Sequence, residues 1–380
     1  MLDSAFFQAS EAAALAWDVP ALALGISLDG RVETAAVGCD PGTRFHVASI
    51  TKPFTAALAL ELLDLEWATG IWGPDVRVRH LLSHTSGYDC ELASVEQSEL
   101  DTEEDPLGAQ LSALRSVRRW VGVDQCWSYA NTGYWIAGWM SARADGSSFE
   151  DALHARVLGP LGLESTSFEG ADLPGTGPDA AVSPYPRARR PSGGLISNVT
   201  DLVRFGERLL AEPRLRIVHA KAVAGVYGLG LHGERVGGVD VWGHGGSWGG
   251  YQSSLLTVPD RGAVFVGLTN GSRGAQALHD LEDEFFYRLL GDRRQVRPTV
   301  DLPDEARDEV TGSYANSGGW YEVSFAVDGL ALKLDDGEFG ARAIGPRTFE
   351  ITEGDHARER FDFPLEGFGR FGSRLAERVA

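Results

Sequence analysis

The sequence predicts an α/β (α+β) fold, a sheet with a helical insert, followed by a small β-rich C-terminal domain. Three observations carry this prediction. Strand-like runs stand at both ends of the stretch from about residue 5 to 290, helical patterns fill its middle, and past residue 305 short strands and turn pairs dominate. The chain has 380 residues with 43% apolar content, ample for a real core.

Taken in order, residues 4–17 read as an amphipathic helix, and "ALALGISL", Asp29-Gly30 and "RVETAAVG" read as a hairpin. The run Phe54–Leu63 is apolar on every face, which for so short a helix means burial. Helical patterns extend from about Arg77 to Pro160, interrupted by the acidic stretch "ELASVEQSELDTEED", a solvated loop or helix face. Later, "GLGLHGERVGGVDVWGHGG", "YQSSLLTVP" and "GAVFVGLTN" read as successive strands, closed by the helix "GAQALHDLEDEFFYRLLG". "GDRRQVRPTVDLPDEA" has the polar, Pro-containing character of a linker. It divides a first domain, 1–295, from a second, 305–380. The second reads as a β-meander: "YEVSFAV", Asp328-Gly329, "LALKL", "FGARAI", Gly345-Pro346 and "RTFEIT".

Composition narrows the function. A formal charge of −20 repels phosphate backbones and anionic lipid, so nucleic-acid and membrane-surface roles are disfavoured. The first residues carry Asp3 and Glu11 where a secretory leader would be basic, and no run is apolar enough to span a bilayer. Cys39, Cys90 and Cys126 are odd in number and widely spaced, which fits neither a disulfide framework nor a zinc site. The consistent compartment is a reducing cytoplasm. The sequence assigns no oligomeric state.

Lysine is rare: Lys52, Lys221 and Lys333 are the only three among 34 basic residues. Pro53 is tolerated only in a first helical turn, so it pins a helix start near Ser49 and Ile50. Residues three apart share a helix face, which brings the Lys52 amine within reach of the Ser49 hydroxyl. A serine hydroxyl needs a neighbour to take its proton as it attacks. A lysine can do so once burial and nearby positive potential lower its pKa, whereas arginine stays protonated. The competing reading makes Ser49 a helix cap and Lys52 a surface residue, but a lysine opening a buried helix needs a reason.

Two further stretches supply partners. In "CWSYANTGYWIAGWM", Tyr129 is a candidate proton relay and Asn131 a group that orders the lysine and holds a substrate carbonyl. Read in isolation, a tyrosine such as Tyr129 is more often a core aromatic than an acid. In "VWGHGGSWGGYQSSLLTVP", His244-Gly245-Gly246 precedes Ser247 on an expected edge strand, where glycines admit a substrate backbone. The Ser247 N–H would join that of Ser49 in an oxyanion hole. A Gly-rich turn without a ligand competes with this reading; a phosphate loop does not, because no lysine or helix start follows.

Ser49-Ile-Thr-Lys52, Tyr129-Ala-Asn131 and His244-Gly-Gly246, in that order, resemble the three motifs of the serine β-lactamase and DD-peptidase superfamily, in its class C and esterase/D-aminopeptidase-like branch. "VRHLLSHTSGYD" (78–89) and "PSGGLISNVTDLVRFGERLL" (191–210) add to the resemblance, which covers about residues 5 to 290. It implies a β-lactamase-like antiparallel sheet flanked by helices, with a helical subdomain. It also implies that Ser49 is acylated by a carbonyl substrate, with Lys52 and Tyr129 sharing the base role and Asn131 and His244 lining the pocket. Ser49 and Ser247 N–H groups hold the oxyanion, His84, Ser86 and Gly87 shape the pocket wall, and no metal or organic cofactor is expected. One departure matters. The third motif usually begins with a lysine that meets a substrate carboxylate, and here His244 stands in its place. That pattern is similar to the esterases, D-aminopeptidases and amidases of the superfamily rather than to its β-lactam hydrolases. The C-terminal meander is similar to lipocalin-like appendages carried over the active-site mouth, though about 75 residues is short for a complete barrel.

Cys126 reads as an inert buried thiol rather than a nucleophile, since no histidine neighbours it in sequence. His219, His232, His279 and His356 show no metal-ligand spacing. Trp127, Trp248 and Tyr251 flank the motifs and form either an aromatic wall or ordinary core. The reading that results is a serine hydrolase working through an acyl-enzyme on a small-molecule ester or amide. An acyltransferase with the same machinery is one alternative, and a non-catalytic ligand-binding or sensor protein is another, disfavoured because a binder has no need of Ser49, Lys52 and Tyr129 together.

Overall fold

The structure is a computed structural model that describes residues 3–90, 105–178, 180, 185–223, 225–326, 329–354 and 356–379. The acidic stretch at 91–104 and Asp328 of the expected Asp328-Gly329 turn lie outside the described residues.

Asp3 caps α1 (Ser4–Ala16) by accepting the Phe6 N–H at 2.9 Å, and Phe6 is fully buried. β1 (Leu22–Leu28) and β2 (Arg31–Val37) form the expected hairpin with Leu28 opposite Arg31. Its turn residues Asp29 and Gly30 have φ of 50° and 79°, the left-handed pair that a two-residue type I′ turn requires. β3 (Phe45–His46) leads into α2 (Thr51–Leu62). The helical middle holds α3 (Val78–Leu82), α4 (Pro106–Leu114), α5 (Asn131–Asp145), α6 (Phe149–Leu153) and α7 (Arg190–Gly193). β4 (Ile196–Ser197) then pairs with β3, and α8 (Val199–Leu210) follows.

The chain returns to the sheet through β5 (Ala220–Lys221), β6 (Val226–Tyr227), β7 (His232–Val236), β8 (Val239–Trp248), β9 (Tyr251–Val258) and β10 (Ala263–Thr269), before α9 (Gly274–Leu290). The order is β2-β1-β10-β9-β8-β7-β6-β5, antiparallel throughout. Side chains alternate between two buried faces. Leu22, Leu24, Ile26 and Phe265 pack with Phe6, Leu281 and Phe285 of α1 and α9. Val264, Val266 and Leu255 pack on the other face with Phe54 of α2 and Val203 and Phe205 of α8. Gly25 allows α8 to close on this face, since a Cβ there would lie 2.8 Å from Val203.

Two expectations change. β8 is not an edge strand along its length. β7 pairs with it from Val239 to Gly243 and stops, while β9 continues to Trp248, so the edge is open only over residues 244–248. The short β7 is what exposes it. The C-terminal part, expected to be too short for a complete barrel, closes fully through β11 (Gly312–Asn316), β12 (Gly319–Ala326), β13 (Gly329–Leu334), β14 (Gly337–Gly345), β15 (Thr348–Ile351), β16 (Arg360–Leu365), β17 (Phe368–Phe371) and β18 (Arg374–Arg378). Short strands and tight turns let so few residues close, with β11 pairing to β18 at Tyr314 and Ala315. Tyr314, Tyr321, Val323, Phe349, Phe361 and Phe363 fill the interior. The linker packs Val300 and Leu302 against this core and ends in α10 (Asp304–Val310).

Candidate active site

Ser49 lies on a tight 3-10 turn, Ala48–Ile50, that runs into α2, and neither the turn nor the helix uses its hydroxyl as a cap. Two bonds at Val47 hold the turn: its N–H donates to the Leu195 carbonyl at 2.9 Å, and its carbonyl accepts from Ser253 Oγ at 2.9 Å. The next residue, Ala48, adopts φ of 46°, a left-handed conformation that side chains disfavour and that persists because the surroundings fix it. β8 passes close by. A Cβ on Gly246 would lie 2.3 Å from the Val47 carbonyl and 3.1 Å from Ala48 Cβ, so only glycine allows the strand this near Ser49.

Lys52 is fully buried. Its Nζ hydrogen-bonds Ser49 Oγ at 3.1 Å and donates to the Ser192 carbonyl at 2.6 Å. The same nitrogen lies 4.7 Å from the centroid of the Tyr129 ring and 5.5 Å from that of Tyr134. Ser192 is held in turn by the Trp135 indole N–H, 2.8 Å from its Oγ.

Tyr129 stands on the extended segment 127–130 that precedes α5. His84 holds it from behind: its carbonyl accepts the Ser128 N–H at 2.9 Å and its Nδ1 accepts the Ala130 N–H at 3.0 Å. Burial keeps His84 neutral, with a pKa far below the usual imidazole range, and its φ of 59° fixes the bend in "HTSG". Asn131 is half-buried as the first residue of α5.

Ser49, Tyr129, His244, Gly246 and Ser247 line one cavity of about 900 Å³; Lys52 lies behind Ser49, and the lining does not include Asn131. Burial lowers the His244 pKa to about 3, so this imidazole is neutral and offers no fixed positive charge. Ser247 lies on the open part of β8, where its hydroxyl accepts from the Gln252 side-chain amide at 2.9 Å.

The opposite wall comes from the barrel, through Trp320, Tyr321, Phe371, Ser373 and Arg374. Sequence reasoning missed these residues, and no local signal marks them, since only docking of the barrel brings them to the site. Trp127, Trp248 and Tyr251 fall outside the lining and pack behind the motifs, Trp127 against Tyr227 and the other two around His46. Cys126 is buried, which raises its thiol pKa. Among the described residues no group of three or more His, Cys, Asp or Glu is placed to hold a metal ion, and no helix is long and apolar enough to cross a membrane.

Known proteins share this fold. A family model described as Beta-lactamase matches residues 7–285. Penicillin-binding protein 4 of Amycolatopsis lactamdurans is 30% identical over 370 residues, covering 79% of this chain and 94% of that protein. The crystal structure of SurE with D-Leu superposes with a TM-score of 0.78 at 23% identity, over 99% of both chains. A D-stereospecific amidohydrolase from Streptomyces sp. superposes with a TM-score of 0.60 at 25% identity, over 71% of this chain and 94% of that one.

Proposed function

The chain belongs to the beta-lactamase family, and on that premise we propose that it is a serine hydrolase cleaving small amides or esters through an acyl-enzyme on Ser49, with D-configured aminoacyl groups as its preferred substrates. The observation that carries the chemistry is the buried Lys52 Nζ at 3.1 Å from Ser49 Oγ. The neutral amine takes the hydroxyl proton as Ser49 Oγ bonds to the carbonyl carbon. N–H groups of Ser49 and Ser247 receive the developing oxyanion. The Tyr129 hydroxyl passes a proton to the departing amine or alcohol as its bond to the carbonyl carbon breaks. Water then adds to the acyl-enzyme by the same relay in reverse and releases the acid.

The D-preference is supported by the relatives, one named as a D-stereospecific amidohydrolase and one crystallised with D-Leu. The neutral His244 supports amides and esters over substrates that need a fixed cation opposite a carboxylate. Hydrolysis of D- and L-phenylalanine p-nitroanilide, p-nitrophenyl butyrate and a chromogenic cephalosporin tests the reading. The D-anilide or the ester is expected to turn over, the cephalosporin not, and Ser49→Ala is expected to abolish both turnover and labelling by a fluorophosphonate probe. Labelling of Ser49→Ala as fast as wild type would refute the assignment.

One observation favours acyl transfer as a second reading. The cavity runs past the open strand edge to His279 and Glu282 on the α9 side, leaving room for a second nucleophile beside the acyl group. Added D-amino-acid amide separates the two: hydrolysis gives mainly free acid, transfer gives mainly the new amide.

A further inference from the structure

We propose that the C-terminal barrel is a positioning element of the catalytic site, its β17–β18 hairpin setting the backbone of residues 127–129 so that Tyr129 faces Lys52, with Arg370 as the positioning residue. The inference rests on the reading that Tyr129 moves protons. It goes beyond the view of the barrel as a wall over the cavity.

Three successive amides define the Tyr129 segment. The N–H groups of Ser128 and Ala130 point back to His84 within the first domain, whereas the N–H of Tyr129 between them donates to the Ser373 carbonyl of the barrel at 2.9 Å. An extended chain presents successive N–H groups to opposite sides, so the hairpin supplies the partner on the side that His84 cannot reach. Two more bonds reinforce it. The Leu375 N–H donates to Ser128 Oγ at 3.0 Å, and Arg370 Nη1 donates to the Trp127 carbonyl at 2.6 Å. Trp127, Ser128 and Tyr129 are thus each held by one hairpin.

The hairpin is built to be rigid. Phe371 pairs with Arg374 across the two-residue turn Gly372-Ser373, whose φ values of 53° and 68° are the type I′ pair. Arg370 is 4% exposed, and its guanidinium forks onto Asp362, at 2.8 Å from Oδ1 and 2.6 Å from Oδ2, while stacking 5.4 Å from the centroid of the Trp127 ring. A bidentate, stacked arginine is fixed in direction as a lysine is not. The segment thus clamped ends 4.7 Å, ring centroid to Nζ, from the amine that must exchange protons with it. Displacements of about 1 Å at such a contact cost on the order of a hundredfold in rate.

The test uses the full chain and kcat on whichever of D-phenylalanine p-nitroanilide and p-nitrophenyl butyrate turns over, whose departing group takes the proton assigned to Tyr129, with Tm followed in parallel. The variants are Tyr129→Phe, Ser128→Ala, and Arg370→Met with Asp362→Leu, the last pair removed together so that no lone charge is left buried. Ser128→Ala and the double variant are each expected to lower kcat by about tenfold or more in a chain that stays folded at the assay temperature, and to add nothing in the Tyr129→Phe background, because they act through that residue. Retained rates in a folded Ser128→Ala, or losses that multiply with Tyr129→Phe, overturn the positioning role and leave the hydrolase reading standing. If Tyr129→Phe keeps the wild-type kcat, the role of Tyr129 and the positioning role fall together.

Discussion

At Lys52 the amine is sealed between the Ser49 hydroxyl, the Ser192 carbonyl and the faces of two tyrosines. Arginine there would be both permanently charged and too large for a site with no solvent exposure. Lys52→Arg is therefore expected to lower kcat by about a hundredfold or more, the size of a general-base contribution. A p-nitroanilide assay measures it, and near-normal kcat in that variant would show that Lys52 acts by charge alone. The Ser49–Lys52 spacing was legible because helix geometry makes it local. Ser192 was not, because its contact with Lys52 joins positions 140 apart. Tyr129 and His244 had competing structural readings, and a shared cavity is what sets them beside Ser49.

At the scale of elements, the open end of β8 depends on glycine. Gly246→Ala pushes the strand away from Val47, and such overpacking costs about 1–3 kcal/mol. Because the strain falls on the turn that carries Ser49, labelling of Ser49 is expected to slow more than tenfold, roughly the rate equivalent of that energy. Unchanged labelling kinetics would mean that the strand does not set the Ser49 turn. α2 is anchored from its other side by Phe54, which stacks on Phe205 of α8 with centroids 3.5 Å apart and both residues fully buried. Phe205→Ala leaves a cavity there and is expected to cost about 3–5 kcal/mol by urea denaturation. The hairpin at Asp29-Gly30 could be read from turn residues and alternation. The length over which β7 covers β8 could not, since pairing is a property of two strands and the turn between them.

For the whole molecule, buried histidines set the response to acid. Burial lowers His46 and His244 each to about 3, against 6.5 in an unfolded chain. Below pH 6.5 the unfolded chain takes up protons that the native one refuses, so this contribution weakens stability as pH falls from 6.5 toward 3. His356 acts in the opposite sense. Its hydrogen bond to Glu359, aided by Asp336, raises it to about 9, so the stability it adds is complete below pH 6.5 and is lost as pH rises toward 9. Urea midpoints are expected to peak near neutrality, and His356→Gln to remove part of the alkaline decline. An alkaline limb of the same slope in that variant would exclude the linkage.

The amino-acid order by itself determined the sheet with its helical insert, the second β domain and the serine–lysine pair, because strand alternation, turn chemistry and one helical turn are short-range properties. Only the tertiary structure decided that the barrel closes, that its aromatic side chains rather than Trp127, Trp248 and Tyr251 face the cavity, and that Arg370 and Ser373 grip the tyrosine segment. Each of these joins residues far apart in the chain, and such contacts follow from how finished elements fit, which no local pattern records.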